Sequence, residues 1–395
     1  MRKMIFFLGV IIIGAAVFLC TAVDKPVAEG EQLQPAETSF FNEKNEDVPK
    51  IKTMESASAE EMSEWYAYSQ LNEEEKGLYI CILTGLQAMS EEFEVNTLDT
   101  ELLDKVFSCV MSDHPEIFYV SGYRYTRYTE GDVLKRLTFQ GEYIYDAEEI
   151  KLRQAQIDEA ANKMLLGIDR NASDYSKVKY VYDTIISETE YDLYAEDNQN
   201  ICSVFLNRKS VCQGYAKATQ YLLGKLGINS CLVTGKVKNG EGHAWNLVQV
   251  DGKWYYLDTT WGDAYYRLQE GMLSEGESPS VNYDYFCVTT QQLANTHSMQ
   301  NVVPMPDCVA MDANYFVVEG AYFTAMDRDK LAILFEKAYA EGREQVMIKC
   351  DSLSVYQELY EALIENQEVF SYLHNEEGTV SYTNNEEQRS LSFWL

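Results

Sequence analysis

Positive charge is what this chain has least of. Thirty-two lysines and arginines stand against sixty-three aspartates and glutamates, a formal charge of −31. A nucleic-acid partner demands a basic surface to neutralise phosphates, and anionic lipid demands the same, so the balance argues against both. The plain role of such acidity is solubility. Paired cysteines are missing too. The nine cysteines (Cys20, Cys81, Cys109, Cys202, Cys212, Cys231, Cys287, Cys308 and Cys350) include no CxxC pair and no dense framework. Their spacings, and those of the histidines, match no structural zinc pattern, so neither a metal nor a cofactor is expected. Histidine itself is scarce, with four residues. His114 abuts Pro115 at a helix end with no nucleophile nearby and reads as structural. His374 lies in an acidic turn, and His297 in a polar segment before Pro304 and Pro306 that ends the core or begins a linker. His243 is different.

It sits in the stretch from Ser210 to Trp261, which runs Ser210-Val211-Cys212-Gln213-Gly214-Tyr215, then Gly242-His243-Ala244-Trp245-Asn246, then Trp254-Tyr255-Tyr256-Leu257-Asp258-Thr259-Thr260-Trp261. Ser210-x-x-Gln213 reads as a capping box. Behind it Tyr215, Ala218, Leu222, Leu223 and Leu226 recur at helical spacing, and Gly227 stops the helix. Cys212 therefore falls in the first turn, where the helix dipole favours a thiolate and unpaired backbone N–H groups can receive an oxyanion. Asp251-Gly252 between aromatic and β-branched runs predicts a two-residue hairpin in which Val250 faces Lys253. Extended along both strands, that register puts Trp245 opposite Asp258 and His243 opposite Thr260. Asp258 becomes the diagonal neighbour of His243, with Cβ atoms about 7 Å apart, within reach of a carboxylate–imidazole bond. A cysteine, a histidine and an orienting acid are the parts of a nucleophilic triad. The plain alternatives are a small buried thiol, a core histidine and a strand-end aspartate.

The segments Ser-Val-Cys-Gln-Gly-Tyr-Ala-Lys-Ala, Gly-His-Ala-Trp-Asn and Gly-Lys-Trp-Tyr-Tyr-Leu-Asp-Thr-Thr-Trp resemble the bacterial branch of the transglutaminase-like superfamily, best over residues 175–265. Asp113–Tyr119 and Tyr283–Phe286 resemble, more weakly, segments that flank this core in related secreted proteins. The resemblance implies an α+β fold with a papain-like core, a helix carrying the Cys and a sheet carrying the His and Asp. It also implies Cys212 as nucleophile, His243 as general base and acid, and Asp258 as orienting carboxylate. The superfamily includes cross-linking enzymes, thiol proteases, amide-cleaving enzymes and inactive members, so it constrains chemistry more than substrate.

The rest of the chain is read around that core. Arg2 and Lys3 precede an apolar run from Met4 to Val23, long enough for a signal anchor or uncleaved signal, which would place the bulk of the chain outside the cytoplasm. A lipid-attached Cys20 is disfavoured by the bulky Leu19. Residues 24–58 are polar and aperiodic, a solvated tether. Residues 59–171 predict an accessory α/β region, with helices over Glu73–Glu91 and Leu98–Met111 and a hairpin of Phe118–Tyr128 with Leu134–Tyr145. The alternating Tyr119, Tyr123 and Tyr125 read as sheet residues rather than as a substrate groove. The catalytic core is expected over 172–306, with Tyr175–Ser187 packing on the Cys212 helix, Thr189–Arg208 as loop and Gly262–Ser280 as a polar loop. Asn207 reads as a turn residue, not an oxyanion donor. Residues 307–395 predict a C-terminal α/β module that binds a partner or stabilises the core.

The function expected is extracytoplasmic thiol acyl transfer on a protein or peptide substrate, with the membrane met only through the N-terminal segment and a cell-wall or surface protein as partner. The alternatives are a cysteine protease or cell-wall peptide amidase on the same triad, and a surface binding or assembly module whose triad is vestigial.

Overall fold

A computed structural model describes residues 65–130, 133–267, 281–374 and 378–395, with Met62 and Ile5–Phe6. The predicted targeting run and tether lie outside the described residues, apart from Ile5–Phe6, which pair with Ser381–Tyr382. No helix among the described residues is long and apolar enough to cross a membrane.

Helices α1 (Glu73–Gln87) and α2 (Thr100–Asp113) pack on each other beside a three-stranded sheet. Strands β1 (Phe93–Val95), β2 (Val120–Glu130) and β3 (Val133–Tyr143) build that sheet in the order β1-β3-β2. Helix α3 (Ala147–Met164) leads on to α4 (Asp174–Glu188), which packs against α5 (Cys212–Lys225) as its Val178, Val181, Tyr182 and Ile185 face predicts. The central sheet has the order β7-β4-β5-β6, formed by β4 (Ser230–Val237), β5 (Gly242–Val250), β6 (Lys253–Leu257) and β7 (His297–Met299). In the C-terminal sheet, β8 (Tyr322–Phe323) and β9 (Gln345–Cys350) lie beside β11 (Ser390–Trp394) and β10 (Ser381–Asn385). Helices α7 (Arg328–Ala340) and α8 (Leu353–Tyr360) accompany it. The architecture is α+β, with an antiparallel sheet and the Cys212 helix at its centre.

The hairpin register is the predicted one: Val250 pairs with Lys253 and Asn246 with Leu257. Asp251 and Gly252 both have positive φ, 49° and 76°, as a type I′ turn requires.

Four expectations need correction. The capping box does not form. Val211 is the N-cap, and the Ser210 hydroxyl is drawn instead to Ser203 Oγ (2.6 Å) and the Asn198 carbonyl (3.1 Å). Helix α5 buries more than the apolar side its spacing marks; Gln213, Lys217 and Gln220 are buried as well, Gln220 by donating to the Ser112 and Asp113 carbonyls of the N-terminal region. The segment between α4 and α5 contains a π-helical turn, Ser203–Asn207, and a parallel pairing of Glu190–Tyr191 with Lys209–Ser210 that fixes the entry to α5. The ladder of β5 and β6 ends at Leu257, so Asp258 and Thr260 face no strand partner. Asp258 instead precedes a helix, α6 (Thr259–Arg267), which takes up the start of the predicted polar loop; residues 268–280 lie outside the described residues.

Candidate active site

Cys212 is the first residue of α5, 2% exposed, in a buried cluster with Ala216, Leu232 and Ala244. The other described helices of eight or more residues for which an N-cap is defined have a side-chain cap: Asn72, Asp99, Asp146, Ser173, Asp327 and Ser352. Helix α5 has none. No N-cap side chain therefore competes for its first-turn N–H groups. Gly214 is required in that turn, since a Cβ there would meet Ser210 Oγ at 1.9 Å and the Asn198 carbonyl at 2.9 Å.

His243 enters from the start of β5, the strand that α5 packs against; Asn246 on the same strand donates to the Ala216 carbonyl at 3.0 Å. Its neighbour Ala244 belongs to the buried cluster of Cys212. His243 Nε2 lies 2.7 Å from Asp258 Oδ2, both groups buried. Asp258 reaches this position as the residue before α6, where its Oδ1 accepts from the Trp261 N–H at 3.0 Å in the manner of an N-cap. A carboxylate only accepts, so His243 carries its proton on Nε2 and keeps Nδ1 as the basic nitrogen.

The sequence reading missed His297. Strand β7 pairs with β4, setting His297 opposite Val237, and its Nε2 donates to the same Asp258 Oδ2 at 3.1 Å. Behind it runs a buried line of donors. Lys349 Nζ gives to Gln388 Oε1 (3.1 Å), and Gln388 Nε2 gives to the Tyr285 hydroxyl (3.2 Å). Tyr285 stands 3.1 Å from Thr296 Oγ1, which stands 2.8 Å from His297 Nδ1. Donation running from Lys349 to Asp258 lets Thr296 give to His297 Nδ1 while His297 Nε2 gives to Asp258. Burial pushes the Asp258 carboxyl up, but His243 and then His297 outweigh it and hold the group well below the ordinary carboxylate range. Burial lowers the His297 imidazole against the opposing pull of Asp258. The nearest sequence signal was the Thr296-His297 pair in a short segment, too weak to mark a sheet edge.

The donor atoms of His243, Asp258 and His297 lie within 4.8 Å of one another, close enough to hold a metal ion. Both imidazoles already aim Nε2 at one carboxylate oxygen, which is the geometry that fixes tautomers. His114 bonds Glu116 at 2.6 Å against the Trp65 ring and His374 bonds Glu336 at the surface, both away from the site. Asn207 donates to the Glu196 carbonyl and is exposed, in keeping with a turn residue. Tyr123 and Tyr125, read as plain sheet residues, do line a cavity of about 940 Å³ whose walls also include His243, Ala244, Gln213 and Lys217.

Residues 162–259 match the Transglutaminase-like superfamily. The chain carries a transglutaminase-like core. The matched stretch holds Cys212, His243 and Asp258 and ends before His297. Over 136 residues the chain is 26% identical to Kyphoscoliosis peptidase of Mus musculus, covering 30% of this chain and 21% of that protein. It thus spans about a fifth of that relative's length. Two solved structures are similar at low overlap. A TGase has a TM-score of 0.26 and 16% identity, over 40% of this chain and 47% of its own. A putative cysteine protease from Cytophaga hutchinsonii has a TM-score of 0.24 and 18% identity, over 35% of this chain and 61% of its own.

Proposed function

We propose that this transglutaminase-like chain is a thiol acyl-transfer enzyme acting on protein or peptide amides outside the cytoplasm, with Cys212, His243 and Asp258 as its triad. The observation that supports it best is the buried 2.7 Å bond between His243 Nε2 and Asp258, on the strand packed against an uncapped helix that begins with Cys212. His243 Nδ1 takes the thiol proton, and the thiolate sulfur attacks the amide carbon. The oxyanion is received by first-turn N–H groups of α5. His243 then protonates the departing amine as the C–N bond breaks, leaving a thioester. Attack by water gives hydrolysis and attack by a second amine gives a cross-link; the relative called a peptidase makes hydrolysis the second reading of the same site. The basic pair followed by the Met4–Val23 run supports export, with a surface or cell-wall protein as substrate or partner.

The test is the pH dependence of iodoacetamide labelling, read cysteine by cysteine by peptide mass spectrometry. Burial pushes the Cys81 thiol up to about 11 and Cys109, Cys202, Cys308 and Cys350 up to about 12, so these serve as unreactive internal controls. Cys212 should label well below pH ~8.5, and His243→Ala should abolish that reactivity. An ordinary thiol titration, indifferent to His243, would replace the enzyme with a binding module bearing a vestigial triad.

A further inference from the structure

Two lysines are buried among the described residues, and they are treated differently. Lys349, 2% exposed, meets the Asp284 carbonyl at 3.1 Å, its carboxylate at 3.4 Å and Gln388 at 3.1 Å. Lys217, 7% exposed, has no hydrogen-bond or ion-pair partner among the described residues. In a chain with sixty-three acidic residues, that is not for want of carboxylates. An ammonium at a cavity wall with no carboxylate beside it is open to an anionic ligand. Burial alone lowers Lys217 to about 8, so at neutral pH it still carries mostly positive charge.

Its position says what completes it. Lys217 lines the cavity with Gln213, which lies one turn earlier on the same face of α5, is 4% exposed, and likewise has no side-chain partner among the described residues. Both follow Cys212 on one helix. An ammonium and an amide N–H₂ that converge from i and i+4 into a cavity suit a carboxylate. Five residues of helix place Lys217 roughly 7 Å along the axis and about 140° around it from Cys212, and His243 and Ala244 bring the triad to the wall of the same cavity.

We infer that the Gln213–Lys217 face is a carboxylate subsite, which selects acyl substrates bearing an acidic side chain or a free C-terminal carboxylate near the amide attacked. This rests on Cys212 as the reacting thiol and names the substrate class for that site.

The test uses four thiol-directed probes on the full chain: N-iodoacetylglycine and its amide, and the N-iodoacetyl α-amides of glutamic acid and glutamine. The second-order labelling rate of Cys212 is read by peptide mass spectrometry, as the ratio of acid to neutral probe within each pair. The wild-type chain should prefer the acid by about tenfold in one pair, the glycine pair for a C-terminal carboxylate or the glutamate pair for a side chain. Lys217→Met should bring that ratio to about one, and Lys217→Arg should retain a preference. A ratio keeps its meaning if overall reactivity changes, and equal wild-type rates in both pairs overturn the subsite before any variant is made. A preference that survives Lys217→Met overturns it as well. Alkylation requires only a thiol, so an ordinary pH profile for Cys212 would sink the enzyme reading while leaving this ratio readable.

Discussion

The interface between the core and the C-terminal sheet, and the cavity beside α5, bury polar groups to opposite effect. At the interface the buried charges meet one another: Asp284 receives Ser390 Oγ at 2.7 Å and Asn385 Nδ2 at 3.2 Å in addition to Lys349. At the cavity, Lys217 and Gln213 have no side-chain partners among the described residues, and the helix that bears them has no side-chain cap. A paired network specifies a fold, whereas a convergent set at a cavity wall without protein partners is left open to a ligand.

The largest test of that contrast is at the acid where the two regions meet. Asp258 accepts on both oxygens, the two imidazoles at Oδ2 and the Trp261 N–H at Oδ1, so Asp258→Asn, with one acceptor oxygen, must turn its N–H₂ against one set of these donors. Turnover, or the Cys212 labelling rate at neutral pH, should fall on the order of a thousandfold or more. Because the Asp258 carboxyl is depressed in the fold, its stabilisation is present above the ordinary carboxylate pKa of ~3.9 and lost as pH falls toward the folded value. The wild-type protein should therefore lose more stability than Asp258→Asn over that acid window.

The two buried lysines give the sharpest comparison, since the same substitution should have opposite signs. Lys349→Met strands Asp284 and should destabilise by about 3 kcal/mol in urea unfolding. Lys217→Met removes an uncompensated charge and should stabilise by about 1–3 kcal/mol at neutral pH. The unfolded Lys217 titrates near ~10.4 and the folded one at about 8, so between these values the unfolded chain binds the extra proton. Wild-type stability should accordingly gain on Lys217→Met as pH rises from about 8 toward ~10. Two losses of similar size would mean that Lys217 has a structural partner.

A smaller effect is expected at His297, which touches Asp258 but not Cys212's cluster. His297→Leu should cut the labelling rate by about tenfold and shift its pH profile. Gln, which can still donate an N–H to Asp258, should restore much of both; a purely structural role would leave the profile unmoved.

Much of the site was legible because its determinants are local. The Asp251-Gly252 turn demands positive φ at both residues, which sets the strand register and with it the approach of Asp258 to His243. The helix behind Cys212 follows from apolar spacing and its Gly227 stop. Local patterns also misled where competition was tertiary. Ser210 has the chemistry of a cap, but Ser203 and Asn198 bind its hydroxyl first. Asp258 extends the strand pattern, yet caps the following helix.

The sequence by itself determined the α+β pattern, the Cys212 helix start, the hairpin register and the candidate Cys212, His243 and Asp258, since each depends on neighbours within a few residues or across one tight turn. Only the tertiary structure decided that His297, thirty-nine residues from Asp258, shares its carboxylate. It alone also placed the N-terminal region over α5, turning Gln213 and Lys217 from the polar side of a helix into the wall of a cavity. Those outcomes depend on which surfaces meet, and burial and pairing exist only once the distant segments have packed.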